Sequence, residues 1–116
     1  MKTIDDWRRR INEIDLRLVE LLNERSQCAL EIGHLKRASG VPIYQPERER
    51  MVLDAVEQAS RGPLSPAAIR RLWERILDEA RSVERAVVQE GAQENAHDAA
   101  DAAGAAPKQS KAQRKS

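Results

Sequence analysis

The sequence predicts an all-α protein with three helices in each protomer and no β-sheet. Apolar residues recur every three or four positions through three stretches, which is the spacing of one face of an α-helix. No stretch of strand length alternates apolar and polar residues with a period of two. Pro46 and Pro66 each suit the first position of a helix, because the N–H that proline lacks has no partner there.

The first helix is predicted to run from Thr3 or Ile4 to about Ala38. Thr3 can cap its N-terminus, and Gly40 can end it in the left-handed conformation. Such a helix is about 50 Å long, roughly twice the diameter of a compact domain of this size. A protruding helix needs a partner along its length. We therefore expect a homodimer in which the first helices of two copies pack together.

Two shorter predicted helices follow a stiff connector that contains two prolines. The second helix is predicted from Pro46 to about Ser60, and the third from Pro66 to about Gln89. The residues expected to face inward are Met51, Val52, Ala55, Val56 and Ala59 in the second helix, and Ile69, Leu72, Trp73, Ile76, Ala80, Val83 and Val87 in the third. Residues 1–90 are thus predicted to form one domain.

Residues 91–116 are predicted to form a disordered tail. They are rich in alanine, contain almost no large apolar side chain and end in a basic cluster. An inert tail is favoured over one that binds nucleic acid, and the net charge of +1 gives no general reason to expect a nucleic-acid partner.

The composition favours a cytoplasmic protein that is not embedded in a membrane. No apolar run approaches the roughly 18–20 residues of a membrane span, and the N-terminus has no apolar secretory signal. The single cysteine, Cys28, excludes an internal disulfide, suits a reducing compartment and is expected to be buried. Neither histidine belongs to a set of ligands at metal-binding spacing, so we expect no metal and no cofactor.

Ionisable residues interrupt the apolar faces of all three predicted helices. Arg25 and Lys36 fall within the apolar stripe of the first helix, and Glu84 falls within that of the third. Arg48 and Glu49 flank the apolar face of the second. Buried charges are costly unless they are paired, so two interpretations remain open at this point. One is an internal network of ion pairs, and the other is a pocket with surplus positive charge for a small anion.

The pattern of these residues resembles the all-helical chorismate mutases. The match begins with Arg8-x-x-Ile11-x-x-Ile14-Asp15-x-x-Leu18-x-x-Leu21-Leu22-x-x-Arg25 and continues with Gly33-x-x-Lys36 and Pro42-Ile43-Tyr44-Gln45-Pro46-Glu47-Arg48-Glu49. It extends over about residues 4–90. The resemblance implies an intertwined homodimeric helical bundle with two equivalent sites. It also implies the [3,3] rearrangement of chorismate to prephenate, on the route to phenylalanine and tyrosine.

The resemblance also implies roles for individual residues. Arg25 and Arg8 of the partner subunit would bind the two carboxylates of the substrate. Lys36 and Glu84 would be the catalytic residues, facing the ether oxygen from opposite sides. Such a reaction needs no nucleophile, only a bound reactive conformer and donors aimed at the developing charge.

Further residues of the pattern would contact the rest of the substrate. Arg48 and Glu49 would line the pocket, with Glu49 accepting a hydrogen bond from the ring hydroxyl. Gln45 would contribute there as well, although many family members have aspartate at its position. Ala80 replaces a serine found in some members, which removes one possible contact.

Glu84 matches the members that have glutamate rather than glutamine. An ionised glutamate cannot donate a hydrogen bond, so Glu84 must be protonated to assist the ether oxygen. We therefore expect activity to fall as pH rises through the titration of Glu84.

Two other functions are compatible with the sequence. An isochorismate-pyruvate lyase shares the fold and the cationic pocket, and a non-catalytic helical module would use the same cations in salt bridges to bind a protein. Another enzyme of the aromatic pathway is a possible partner that would raise the activity.

Overall fold

The structure, a computed structural model, describes the backbone of residues 1–102 and the side chains of residues 1–90. Three helices follow one another: α1 at Ile4–Ser39, α2 at Pro46–Ala59 and α3 at Pro66–Ala102. Residues 1–102 contain no strand, so the predicted all-helical fold is confirmed. Helix α3 packs against both α1 and α2 and thereby brings together the second half of α1 and the start of α2.

The ends of α1 are fixed by the capping residues that the sequence predicts. The hydroxyl of Thr3 accepts a hydrogen bond from the N–H of Asp6 at 3.1 Å, and the Asp6 carboxylate accepts one from the N–H of Thr3 at 2.9 Å. These bonds lower the pKa of Asp6, the backbone bond from Thr3 being the largest cause. At the other end, Gly40 adopts a φ of 75° and donates its N–H to the carbonyl of Lys36 at 2.7 Å.

The predicted start of α3 is confirmed, but its predicted end is not. The hydroxyl of Ser65 accepts a hydrogen bond from the N–H of Ala68 at 3.1 Å, with Pro66 as the first helical residue. The helix continues past Gln89 to Ala102. The predicted end was based only on how little apolar surface residues 91–102 can bury. Their many alanines, however, also favour helix. Residues 103–116 lie outside the described part of the chain, and a disordered tail stays a prediction.

The inward faces of α2 and α3 are rotated relative to the predicted ones. Leu53 and Leu77 are buried although neither was expected to be, whereas Met51 and Leu72 are 63% and 52% exposed. Periodicity identifies an apolar stripe, but the neighbouring helices decide which edge of the stripe is covered. Here α2 faces α3, and α3 must contact two helices, so the covered face moves towards Leu53 and Leu77.

The first half of α1 has no partner within the described part of one protomer. The helix buries only Ala29 and Gly33, both in its second half. The apolar stripe before them is exposed, from 70% at Ile4 to 38% at Ile14. Its exposed members are Ile4, Trp7, Ile11, Ile14, Leu18 and Leu22.

Among residues 1–102, no helix combines the length and the hydropathy that a membrane span requires.

Candidate active site

A cavity of about 440 Å³ lies between the second half of α1, the start of α2 and the middle of α3. A volume of this size is typical of sites for small molecules. All but one of the site residues predicted from the sequence line its wall, namely Arg25, Lys36, Gln45, Arg48, Glu49 and Glu84. Three separate helices therefore bring together residues that lie up to 59 positions apart, from Arg25 to Glu84 (84 − 25).

Arg8 is the predicted site residue that does not reach this cavity within one protomer. Its side chain is largely exposed in the second turn of α1, 3.9 Å from the carboxylate of Asp5. Arg8 and Arg25 are separated by seventeen positions (25 − 8), which corresponds to about 25 Å along the helix. Participation of Arg8 thus depends on a second copy of the chain.

Lys36 and Glu84 form a largely buried ion pair across the interface of α1 and α3. The Nζ atom of Lys36 donates to Oε1 of Glu84 at 2.7 Å and to the backbone carbonyl of Ile43 at 2.9 Å. The two side chains are only 13% and 11% exposed. An ammonium group has three N–H donors, so one remains for a ligand in the cavity.

Gly33 permits the close approach of helices that this ion pair requires. A Cβ atom at position 33 would lie 3.1 Å from Cα of Glu84 and 3.3 Å from Cβ of Val87. Both distances are below the roughly 3.5–4.0 Å of ordinary carbon–carbon contacts. Only glycine therefore lets α1 lie this near to α3, one turn from Lys36 and directly against the backbone of Glu84.

Arg81 is a member of the cavity wall that the sequence analysis missed. Its guanidinium donates to the carboxylates of Glu49 and Asp78, and its Cζ atom lies 5.4 Å from the centroid of the Tyr44 ring. The hydrogen bond to Glu49 is the largest cause of the raised pKa of Arg81. Arg81 was not predicted because the inward face of α3 was placed too far from Leu77. Arg81 lies four positions after Leu77 and therefore next to it on the helical wheel.

The cations of the cavity fall into two groups. Lys36 and Arg81 are paired with carboxylates, whereas Arg25 and Arg48 form no salt bridge within residues 1–90. Ion pairs of the kind predicted by the network interpretation are thus present, but they leave both a void and unmatched positive charge. This arrangement suits a small anion with more than one negative charge.

Cys28 also contributes to the wall, and it is exposed rather than buried as expected. It faces the void because the stripe of α1 is only partly covered. Among the residues whose side chains are described, no group of three or more His, Cys, Asp or Glu is arranged to hold a metal ion.

The family profile described as chorismate mutase type II matches residues 7–85. The chain belongs to the chorismate mutase type II family. This membership confirms the resemblance seen in the sequence, and the matched segment contains all of the residues that line the cavity.

Named relatives are consistent with this family. The chain is 40% identical over 88 residues to the bifunctional chorismate mutase/prephenate dehydratase of Neisseria gonorrhoeae. The aligned segment covers 72% of this chain and 24% of that protein. The chain is 31% identical over 58 residues to the chorismate mutase of Methanocaldococcus jannaschii, covering 50% of this chain and 59% of the relative. It is also 31% identical over 80 residues to the T-protein of Haemophilus influenzae, covering 68% of this chain and 21% of the relative. The chain spans about a quarter of the length of the bifunctional relatives that it matches.

Proposed function

We propose that this chain is a chorismate mutase, which converts chorismate to prephenate in the biosynthesis of phenylalanine and tyrosine. The observation that supports this most is the cavity in which Arg25 and Arg48 remain unmatched beside the buried pair of Lys36 and Glu84. In a member of this family, such a cavity suits a small dianion better than it suits a structural ion network. The proposal locates the activity in residues 1–90 and assigns none to residues 91–116.

The unmatched cations would bind the substrate and hold it in its compact reactive conformer. Arg25 offers a planar fork for one carboxylate, and Arg8 of the partner subunit would bind the other. Arg48 would add to the positive potential of the wall, and Gln45 and Glu49 would contact the ring hydroxyl. Selecting one conformer of a flexible dianion lowers the barrier without any covalent step.

Lys36 and Glu84 would act on the transition state. The third N–H of the Lys36 ammonium would donate to the ether oxygen, where negative charge grows as the carbon–oxygen bond breaks. Glu84, which pairs with Lys36 as a carboxylate in the free protein, would have to take up a proton before it could donate a second hydrogen bond to the same oxygen from α3. These interactions strengthen during the reaction, so they raise the rate more than the carboxylate contacts do.

The activity is tested by following the loss of chorismate absorbance with purified protein. Lys36→Met is expected to lower kcat by about 10²–10³-fold, the usual effect of removing one such donor. Arg37→Met is the matched control, because Arg37 is an exposed neighbour on the same helix and does not line the cavity. A wild-type protein that leaves chorismate unchanged, or a Lys36→Met variant with wild-type kcat, would refute the proposal. A parallel assay with isochorismate separates a mutase from an isochorismate-pyruvate lyase.

We further propose that two copies of the chain form an intertwined homodimer. The exposed stripe of α1, which includes Ile11 and Leu18, is the apolar surface that a second α1 would cover. The same packing would bring Arg8 of the partner subunit towards the cavity, which lies about 25 Å from Arg8 within one protomer.

A mixture of two inactive variants tests this arrangement. Arg8→Ala and Arg25→Ala are each expected to abolish most activity. When the two proteins are mixed and refolded, half of the dimers are mixed and each has one intact site. About a quarter of the wild-type activity should then return, as expected for a two-fold symmetric dimer. A mixture that stays inactive would argue against an Arg8 contributed by the partner subunit.

A further inference from the structure

The cavity contains two carboxylates, although the proposed ligand is itself a dianion. Glu49 and Glu84 both line the wall, and an unpaired carboxylate there would repel the ligand. Each is instead matched by a cation on another helix. Glu84 is paired with Lys36, and Glu49 is paired with Arg81.

The pair of Glu49 and Arg81 is built for a fixed geometry. Both side chains are about one-fifth exposed, so solvent screens them less than it screens a surface pair. The other arm of the Arg81 fork is bound by Asp78, and the guanidinium lies over the ring of Tyr44. Three neighbours thus hold Arg81 in place at the first turn of α2.

This pairing determines which cations remain available. Within residues 1–90, Oε2 of Glu49 accepts from Arg81 and makes no salt bridge with Arg48 or Arg25. We infer that Arg81 is a positioning residue that neutralises Glu49 and thereby leaves Arg25 and Arg48 unmatched for the dianion. The inference rests on the proposed function, and it adds a residue of α3 that determines the affinity of that site for negatively charged ligands.

Removing the charge of Arg81 should weaken substrate binding more than it slows the reaction. Arg81→Met leaves the Glu49 carboxylate uncompensated beside the substrate, so KM is expected to rise about tenfold or more. The carboxylates of the substrate keep their charge in the transition state, so kcat should change by less than about threefold. Arg81→Lys keeps the charge and should hold KM within about threefold of the wild-type value.

A second substitution separates this role from a purely structural one. In the double variant Arg81→Met with Glu49→Gln, the repelling carboxylate is gone, and KM should return to within about threefold of that of Glu49→Gln alone. A loss of packing would not be repaired in this way. Arg75→Met is the control, because Arg75 makes an exposed ion pair with Glu79 on the same helix and should leave KM unchanged.

Binding of prephenate, measured by calorimetry, gives a readout that does not require turnover. The Kd of Arg81→Met should rise about tenfold and recover in the double variant. If Arg81→Met does not fold, Arg81→Gln takes its place, with folding checked by circular dichroism. The inference is overturned if Arg81→Met keeps the wild-type KM and Kd, or if the double variant binds as weakly as Arg81→Met. A wild-type protein that binds prephenate without converting chorismate would refute the proposed function alone. A wild-type protein that neither binds prephenate nor converts chorismate would refute both the proposed function and the role of Arg81.

Discussion

Replacing Gly33 with alanine adds a single methyl group, yet it should displace the two proposed catalytic residues, Lys36 and Glu84. The new Cβ would lie 3.1 Å from Cα of Glu84, which is about 0.4–0.9 Å too close for a carbon–carbon contact. The obstructing atom belongs to the backbone, so it cannot rotate away. Helices α1 and α3 must therefore separate by about 0.5 Å at this point.

The separation acts directly on the pair of Lys36 and Glu84. A shift of about 0.5 Å lengthens their 2.7 Å hydrogen bond to about 3.2 Å, beyond the usual range of charge-assisted bonds. Because a misplacement of 1 Å can cost about 10²-fold in rate, we expect kcat to fall about tenfold. Overpacking costs about 1–3 kcal/mol, and the better helix propensity of alanine offsets about 1 kcal/mol. A net loss near 1 kcal/mol corresponds to a decrease in Tm of about 4–8 °C.

The assay compares kcat and Tm of Gly33→Ala with those of Gly62→Ala. Gly62 has a φ of 85° in the turn before α3, and a Cβ there would meet no atom within 4 Å. Alanine at position 62 should lose a similar amount of stability through backbone strain, about 1–2 kcal/mol, but keep the wild-type kcat. Should Gly33→Ala retain full kcat, or should both variants lose kcat equally, the close approach at Gly33 would not be what aligns the pair.

Three other outcomes follow from the same contacts. Glu84→Gln should raise kcat, because an amide can donate a hydrogen bond to the ether oxygen whereas the carboxylate paired with Lys36 cannot, and a variant with a lower kcat would remove Glu84 from the proposed role. Thr3→Ala should raise the pKa of Asp6 only part of the way towards its ordinary value of 3.8 in an NMR titration, because alanine lacks the hydroxyl but keeps the backbone N–H that is the largest cause of the lowered pKa. An unchanged pKa would show that the hydroxyl does not contribute. In the wild type, the lowered pKa means that Asp6 stabilises the fold above that ordinary value and loses its contribution as pH falls through the folded-state value. Leu18→Asp should yield a monomer in sedimentation experiments, and a variant that stays dimeric would contradict the proposed use of the exposed stripe.

Local chemistry explains why the N-terminal ends of the helices, and most residues of the candidate site, could be predicted from the sequence. The capping residue Thr3, the left-handed Gly40 and the first-turn prolines act through neighbouring backbone groups, so the sequence contains all the necessary information. Charged residues inside an apolar stripe are similarly conspicuous, because burial without a partner is costly. Lys36 and Glu84 were found in this way, and the structure brings them to 2.7 Å.

Most of the wrong predictions concern how each helix is rotated about its axis relative to its neighbours. Periodicity places Leu53 and Leu77 at the edge of their stripes, and only the position of the neighbouring helix moves them into the core. Arg81 was missed for the same reason, since it lies beyond the predicted face of α3 on the side of Leu77. The end of α3 was misjudged because burial was considered without the helix propensity of alanine.

The two ion pairs in the wall would explain how the proposed site for a dianion can contain two carboxylates. If Glu49 and Glu84 were free, they would offset the charges of Arg25 and Arg48, and the cavity would attract no anion. Because Arg81 and Lys36 engage them from other helices, the positive charge that remains comes from the residues without partners in the described chain. The number of cations in a pocket is therefore a poor guide to what it binds. The affinity for a charged ligand depends on how the cations are distributed among the carboxylates around them, and that distribution is set by the packing of α1 and α2 on α3.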